Sequence, residues 1–273
     1  MIRLEQLGVV FSPGTPDENR ALNNISLEVG AGEFVTVIGS NGAGKSTLYN
    51  AIAGTVFPSS GRIFIRGSAD RGGEGREREI TREAEYKRAR YIGRIFQNPL
   101  LGTAGKMTLA DNMMICFKKG YKGLKISLNK TMREYFREQL RTLGMGMENR
   151  LNDNVELFSG GQRQALTLLM TVMSRPSLLL LDEHTAALDP RNAEMIMELT
   201  LRFAAEFHLT VMMITHNMTQ ALEFGSRLLM MDGGEIILDI DAGEKAKLTT
   251  KDIVQRFRDI KKKELANDEM LLG

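Results

Sequence analysis

The stretch Gly39-Ser40-Asn41-Gly42-Ala43-Gly44-Lys45-Ser46-Thr47 follows the apolar run Phe34-Val35-Thr36-Val37-Ile38 and precedes a helix-forming segment that begins Leu48-Tyr49-Asn50. A strand, a glycine-rich turn and a helix in that order make a phosphate loop of the pattern G-x-x-x-x-G-K-[ST]. Glycines at 39, 42 and 44 let backbone N–H groups curl around a polyphosphate, and the helix N-terminus adds partial positive charge. Lys45 is placed to reach the β- and γ-phosphates and the Ser46 hydroxyl to ligate Mg²⁺. The sequence therefore predicts a nucleoside triphosphate site.

The chain has 273 residues, enough for one large domain or two modest ones. Its 36 basic and 34 acidic side chains nearly cancel, so the balance points to no nucleic-acid partner and to no obligatory anionic lipid. Cys116, the single cysteine, cannot form an internal disulfide; its apolar neighbours Met114, Ile115 and Phe117 predict a buried structural thiol in a reducing compartment. No signal-peptide pattern opens the chain, and no apolar run approaches the ~20 residues that span a bilayer.

Short apolar runs and turns over residues 1 to 35 predict antiparallel strands, and Arg62-Ile63-Phe64-Ile65-Arg66 predicts another strand beyond the phosphate-loop helix. Residues 67 to 90 read as a charged loop entering a solvated helix, with Glu83 and Lys87 spaced for an i,i+4 pair. Helix-forming composition from about 107 to 175 predicts a helical subdomain. Apolar runs at Leu178 to Leu181, Val211 to Thr215 and Leu228 to Met231, with a helix from about Arg191 to Phe207, predict β-α-β units in a parallel sheet covered on both faces. From Thr249 an amphipathic helical tail carries Lys261-Lys262-Lys263 among acidic neighbours, a solvated face.

Four leucines, Leu178 to Leu181, bury a strand on both faces and deliver Asp182 and Glu183 at its carboxyl end, where open α/β sheets bind ligands. Asp182 is the candidate Mg²⁺ ligand and Glu183 the candidate base for the water that attacks the γ-phosphate. In Phe158-Ser159-Gly160-Gly161-Gln162, Ser159 and Gln162 match a capping box. Two glycines in a first helical turn cost roughly 0.5–1 kcal/mol each relative to alanine, so they predict a close approach to the backbone, such as a second phosphate.

These ordered motifs resemble the ATP-binding-cassette family over about residues 1 to 245, the Ser159 segment matching its signature motif. The resemblance implies an α/β fold: a phosphate-loop NTPase core with a mainly parallel sheet, an N-terminal antiparallel β subdomain and an inserted α-helical subdomain at about residues 100–175. The cassette would span residues 1–248 and the helical tail 249–273. It implies ATP and Mg²⁺ as cofactors and a homodimer or paired ATPase subunits, with Ser159, Gly160, Gly161 and Gln162 of one subunit meeting the γ-phosphate held by the other. Gln97, in Tyr91-Ile92-Gly93-Arg94-Ile95-Phe96-Gln97-Asn98-Pro99, resembles the glutamine that senses Mg²⁺ and the attacking water. Asp189, in Ala187-Leu188-Asp189, resembles the loop through which subunits communicate, and it also reads as a turn and helix opener. His216 matches the switch histidine that contacts the γ-phosphate. Phe11 resembles the aromatic that stacks on adenine; a core aromatic is the other reading.

Phe158 stands where leucine is commoner, and His184 where proline is common; His184 either perturbs the titration of Glu183 or fills space. The segment from Gly67 to Glu85 exceeds the usual connection. The resemblance further implies separate transmembrane permease subunits docking near Gln97 to Phe117, with Met107, Met113 and Met114 forming either an adaptable surface or helical core. A freestanding cassette of this length most resembles the ATPase subunits of prokaryotic small-solute importers, sited at the cytoplasmic face of the membrane and served by an extracytoplasmic solute-binding protein. An amino-acid-like solute is the expected cargo, and an exporter or lipid-extraction system the alternative, followed by a non-transport cassette.

Overall fold

Alternation of apolar and polar residues near the N-terminus folds as antiparallel strands. In the computed structural model, which describes residues 1–67, 77–117 and 128–271 with side chains through residue 260, β1 (Ile2–Phe11) pairs with β2 (Asn19–Val29) and with β4 (Ser60–Arg66). A short β5 (Glu77–Glu79) completes a sheet of order β2-β1-β4-β5. The second sheet has the order β10-β9-β3-β8-β7-β6. Its members β3 (Phe34–Gly39), β6 (Ile92–Ile95), β7 (Leu178–Asp182), β8 (Thr210–Ile214) and β9 (Arg227–Asp232) run parallel, and β10 (Glu235–Ile240) returns antiparallel beside β9.

Both faces of the parallel strands are covered, so their apolar runs are continuous rather than alternating. The side chains still divide by the two-residue period. Leu178 and Leu180 enter one core cluster with Val35, Val37, Met212 and Ile214, whereas Leu179 and Leu181 enter the other with Val211 and Met213. The first cluster holds α1 (Lys45–Ala53) and the antiparallel sheet; the second holds the helices that follow β6.

Those helices are α3 (Leu109–Phe117), α4 (Lys130–Arg141) and α5 (Gly160–Met173). Asn129 caps α4 by accepting from Met132 N at 2.9 Å, and Phe136 and Leu140 supply its buried stripe. Connections between sheet strands run through α6 (Pro190–Glu206) and α7 (Met218–Glu223), and α8 (Ala242–Lys245) leads to α9 (Thr250–Leu271). Ile253 of α9 is buried in a third cluster, with Phe257 packed against it.

Several expectations change. The Lys261 to Lys263 side chains and residues 68–76 of the charged segment lie outside the described part. Glu83 precedes the one-turn helix α2 (Glu85–Arg88) rather than sharing it with Lys87, and pairs with Arg78 at 2.5 Å. Cys116 is half-buried at the last turn of α3, against the core but not within it, because α3 turns Leu109, Ala110, Met113 and Met114 inward. Met113 and Met114 are thus core residues, and Met107 alone of the three methionines is exposed.

Arg88 ties the end of α1 to the turn that follows β5. It is fully buried and donates from Nη1 to the carbonyls of Ala51 and Ile52 at 2.6 and 2.8 Å, from Nη2 to Thr81 O at 2.8 Å and from Nε to Glu83 O at 2.8 Å. The guanidinium therefore sits at the negative end of α1, and burial lowers its pKa to about 10. Arg88→Met strands these carbonyls and should destabilise the fold by about 3–5 kcal/mol, read as a lower urea midpoint at unchanged slope. A loss under about 1 kcal/mol would show that the carbonyls find water instead.

Candidate functional site

The phosphate loop is built where β3 ends in the middle of the parallel sheet. Gly44 takes the N-cap position of α1 with φ 94°, and no side chain caps that helix. A Cβ at Gly44 would meet Ala21 O at 2.6 Å, so the turn needs glycine for both its dihedral and its closeness to β2. The first N–H groups of α1 are left for a ligand. Lys45 is buried, and its Nζ donates to Gly39 O and Ser40 O at 2.8 Å each, folded across the loop it is expected to serve. Burial lowers its pKa, while Glu183 and Asp182 oppose that shift. Ser40 Oγ donates to Asp232 Oδ1 at 2.9 Å, tying the loop to the end of β9. Asn41, Gly42 and Ser46 are exposed, Thr47 is half-buried and Ala43 is packed inside.

Strand β7 brings Asp182 to the same edge. Asp182 accepts from Arg94 Nη2 at 3.3 Å, and Glu183 takes a left-handed conformation at φ 48° directly after it. That turn aims the Glu183 carboxylate at His216 Nε2, and the two side chains are in contact. The His216 side chain is 47% exposed and that of Glu183 is 17% exposed, so solvent reaches the pair. A cleft of about 210 Å³ lies beside them, lined by Glu183, Thr185, Ala186, His216 and Asn217. Lys45, Asp182, Glu183 and His216 follow the adjacent strands β3, β7 and β8 and converge at their carboxyl ends.

Gln97 is exposed two residues beyond β6, so it is not a core glutamine. Its approach is braced by a residue that sequence reasoning passed over. Gln164 is fully buried in α5, and its Nε2 donates to His184 O at 2.6 Å and to Phe96 O at 3.3 Å. It follows Gln162 and Arg163 at the polar start of α5, so no local signal set it apart.

His184 itself is buried. Thr200 Oγ1 donates to Ile196 O at 2.7 Å, so the 3.1 Å contact makes His184 Nε2–H the donor to that hydroxyl. Burial drives its pKa from 6.5 to about 4, and the ring is neutral near pH 7. It fills space and carries no charge with which to perturb Glu183.

The capping box is present in both halves: Gln162 N donates to Ser159 Oγ at 3.2 Å and Ser159 N to Gln162 Oε1 at 3.1 Å. The two glycines differ. A Cβ at Gly161 would meet Asn192 Oδ1 at 2.7 Å, so this glycine serves the approach of α5 to α6 within the chain. At Gly160 the nearest atom is Leu188 Cδ2 at 3.7 Å, an ordinary contact, and close approach inside the chain explains only one glycine. Asp189 caps α6, accepting from Asn192 N at 3.1 Å and Asn192 Nδ2 at 2.5 Å, and these bonds hold its carboxyl below the usual range. Among the described residues, no hydrogen bond links the Ser159–Gln162 turn to the phosphate loop. Phe11 ends β1 at 41% exposure, which removes the core-aromatic reading. Phe158 is buried beneath the Arg150 guanidinium, 4.2 Å from its ring centre.

Residues 22–186 match the family model described as ABC transporter. The chain belongs to the ABC transporter family. A relative named tyrosine transport ATP-binding protein, from Clostridioides difficile, is 38% identical over 260 residues, covering 94% of this chain and 98% of the relative. The energy-coupling factor transporter ATP-binding protein EcfA2 of Clostridium perfringens is 28% identical, covering 96% and 90%. Among solved structures, the dimeric cassette MJ0796 in a post-hydrolysis state bound to ADP and Pi is 26% identical with a TM-score of 0.71, covering 89% of this chain and 99% of that one. The chain is thus an ATP-binding, ATP-hydrolysing subunit of an ABC transporter, and its α/β architecture is that of the family's cassettes. Among the described residues, no helix is long and apolar enough to cross a membrane.

The buried imidazole in this cassette gives a pH test. Unfolded His184 takes up a proton near pH 6.5 and the folded residue only near 4, so stability is full above 6.5 and is lost as pH falls through that window. The difference at pH 5 is about 2 kcal/mol. Urea midpoints at pH 7.5 and 5 should therefore fall further for the parent than for His184→Gln, which keeps a donor without titrating. Equal falls would place the acid sensitivity elsewhere.

Proposed function

We propose that this cassette powers import of a small, amino-acid-like solute through separate membrane subunits, hydrolysing ATP in a composite site formed by two ATPase subunits. The observation that carries the catalytic part is the convergence of Lys45, Asp182 and the Glu183–His216 pair at the ends of neighbouring parallel strands. Lys45 turns from the Gly39 and Ser40 carbonyls to the β- and γ-phosphates. Glu183 accepts a proton from the attacking water, and His216, which already holds that carboxylate, contacts the γ-phosphate. Exposed Phe11 stacks on adenine, and the exposed Gln97 lies between the sheet and the helical layer. Asp189 lines the contact between subunits.

The donors fit a hard divalent cation: Ser46, Asp182 and Gln97 offer oxygen, and no cluster of three His, Cys, Asp or Glu occurs among the described residues. Mg²⁺ keeps several waters and takes few protein ligands, so this sparse set suits it; when bound, it would neutralise charge on the phosphate oxygens.

Partners are supported by the relatives. CbiO1 of Clostridium perfringens, 25% identical with a TM-score of 0.71, is described as part of the transporter complex cbiONQ. The tyrosine-transport relative supports an amino-acid-like cargo; a solute-binding protein that delivers it is part of the proposal. The energy-coupling-factor relatives favour a second arrangement, in which the same cassette drives an energy-coupling-factor complex. We place the protein at the cytoplasmic face of the membrane, with residues 1–248 as the cassette and 249–273 as its tail.

Two variants test the composite site. Glu183→Gln should bind Mg-ATP and dimerise in light scattering while hydrolysis falls by roughly 10²–10⁴-fold, the usual range for loss of a general base. Ser159→Arg should bind ATP as a monomer, fail to dimerise and lose hydrolysis. Parent-like dimerisation and turnover in Ser159→Arg would reduce the Ser159 turn to a helix cap. Co-purification of the membrane subunits in mild detergent, followed by uptake of labelled tyrosine in vesicles, tests the cargo; robust ATPase activity without tyrosine-dependent stimulation would refute it.

A further inference from the structure

Arg94 of β6 touches three parts of the site at once. Its Nη1 donates to Asn50 Oδ1 on α1 at 2.8 Å, its Nη2 meets Asp182 Oδ2 at 3.3 Å, and its guanidinium lies 4.6 Å from the ring centre of Phe96, the residue before Gln97. The Arg94 and Asp182 side chains are only 12% and 17% exposed, so the pair is largely removed from water. Its geometry is nevertheless loose. Arg94 Nε is buried with no hydrogen-bond partner, as is the hydroxyl of Tyr49 beside Asn50.

The contrast with the structural arginines is informative. Arg88 uses all three nitrogens on carbonyls, and Arg227 grips Asp239 with two prongs at 2.7 and 2.6 Å. The two-pronged arrangement is the stronger geometry for a guanidinium on a carboxylate. Arg94 instead gives Asp182 one long contact and leaves a nitrogen unused.

We propose that Arg94 is a positioning residue that stands in for the cation at Asp182 and thereby sets how much Mg²⁺ the nucleotide site requires. Without a cation, a largely buried Asp182 carboxylate needs a counter-charge, and Arg94 supplies it. Mg²⁺ and the guanidinium then compete for one carboxylate, so the arginine weakens cation binding and keeps the site from filling with free Mg²⁺. Because Arg94 also stacks on Phe96, its release from Asp182 is felt at the root of Gln97. This inference rests on the proposed roles of Asp182 and Gln97.

The test measures binding of a fluorescent ATP analogue in EDTA and across a Mg²⁺ titration, for the parent, Arg94→Gln, Arg94→Met and Arg94→Lys. Affinity in EDTA should stay within about twofold of the parent in all three variants, because Arg94 bonds Asn50 and Asp182 and no residue of the phosphate loop. The Mg²⁺ midpoint should fall about three- to tenfold in the two neutral variants, from loss of a nearby positive charge. Arg94→Lys, which keeps the charge but cannot span Asn50 and Asp182, should hold the parent midpoint while its hydrolysis at saturating Mg²⁺ declines. Unchanged or raised midpoints in the neutral variants, or a lysine variant that shifts with them, overturn the inference while the site assignment stands. A parent whose ATP binding ignores Mg²⁺ overturns both. Should one neutral variant fail to fold, the other and the lysine variant still decide the question, since a brace without electrostatic effect would leave every midpoint in place.

Discussion

The molecule depends on strands that must be buried on both faces at once. Along β7, Leu178 and Leu180 serve the core beneath α1, and Leu179 and Leu181 the core beneath the helical layer. A slip of one residue would exchange the two sets and carry Asp182 to the wrong side. Pairing of Leu179 with Val211 and of Asp182 with Ile214 fixes the register. The position of the Asp182 carboxylate is thus decided by the leucines that precede it.

The same constraint accounts for where charge can sit. Inside the sheet every residue of β8 is buried, and the carboxylates of the site stand where the strands end. There the backbone leaves regular geometry, at φ 94° for Gly44 and 48° for Glu183, and side chains are freed to face one another. Buried cations elsewhere serve structure: Arg88 on the carbonyl end of α1, and Lys245 on the carbonyls of Phe224 and Gly225, where burial lowers its pKa to about 8.

Much of this was legible in the chain. The phosphate loop, the leucine run and the Ser159 capping box are local patterns with local causes, and each appears as the expected local element. What escaped depends on distant residues. Nothing near Gly161 reveals that Asn192 will pack on it, nothing near His184 announces Thr200, and the fate of Glu83 turned on a helix beginning two residues later than its charge pattern suggested. Gln164 and Arg94 were missed for the same reason: a polar side chain in a regular element declares its purpose only when the partner strand is in place.

Gln164 carries a consequence beyond bracing. Its single amide nitrogen serves the carbonyls at the roots of both the Gln97 loop and the Glu183 turn, from the second turn of the helix whose first turn exposes Ser159. Helix α5 therefore acts as a geared shaft rather than a hinge. Rotating it would strain two bonds together, so the Gln97 loop and the Glu183 turn share one mechanical link, and a pull on either is delivered to the other without any charge having to move.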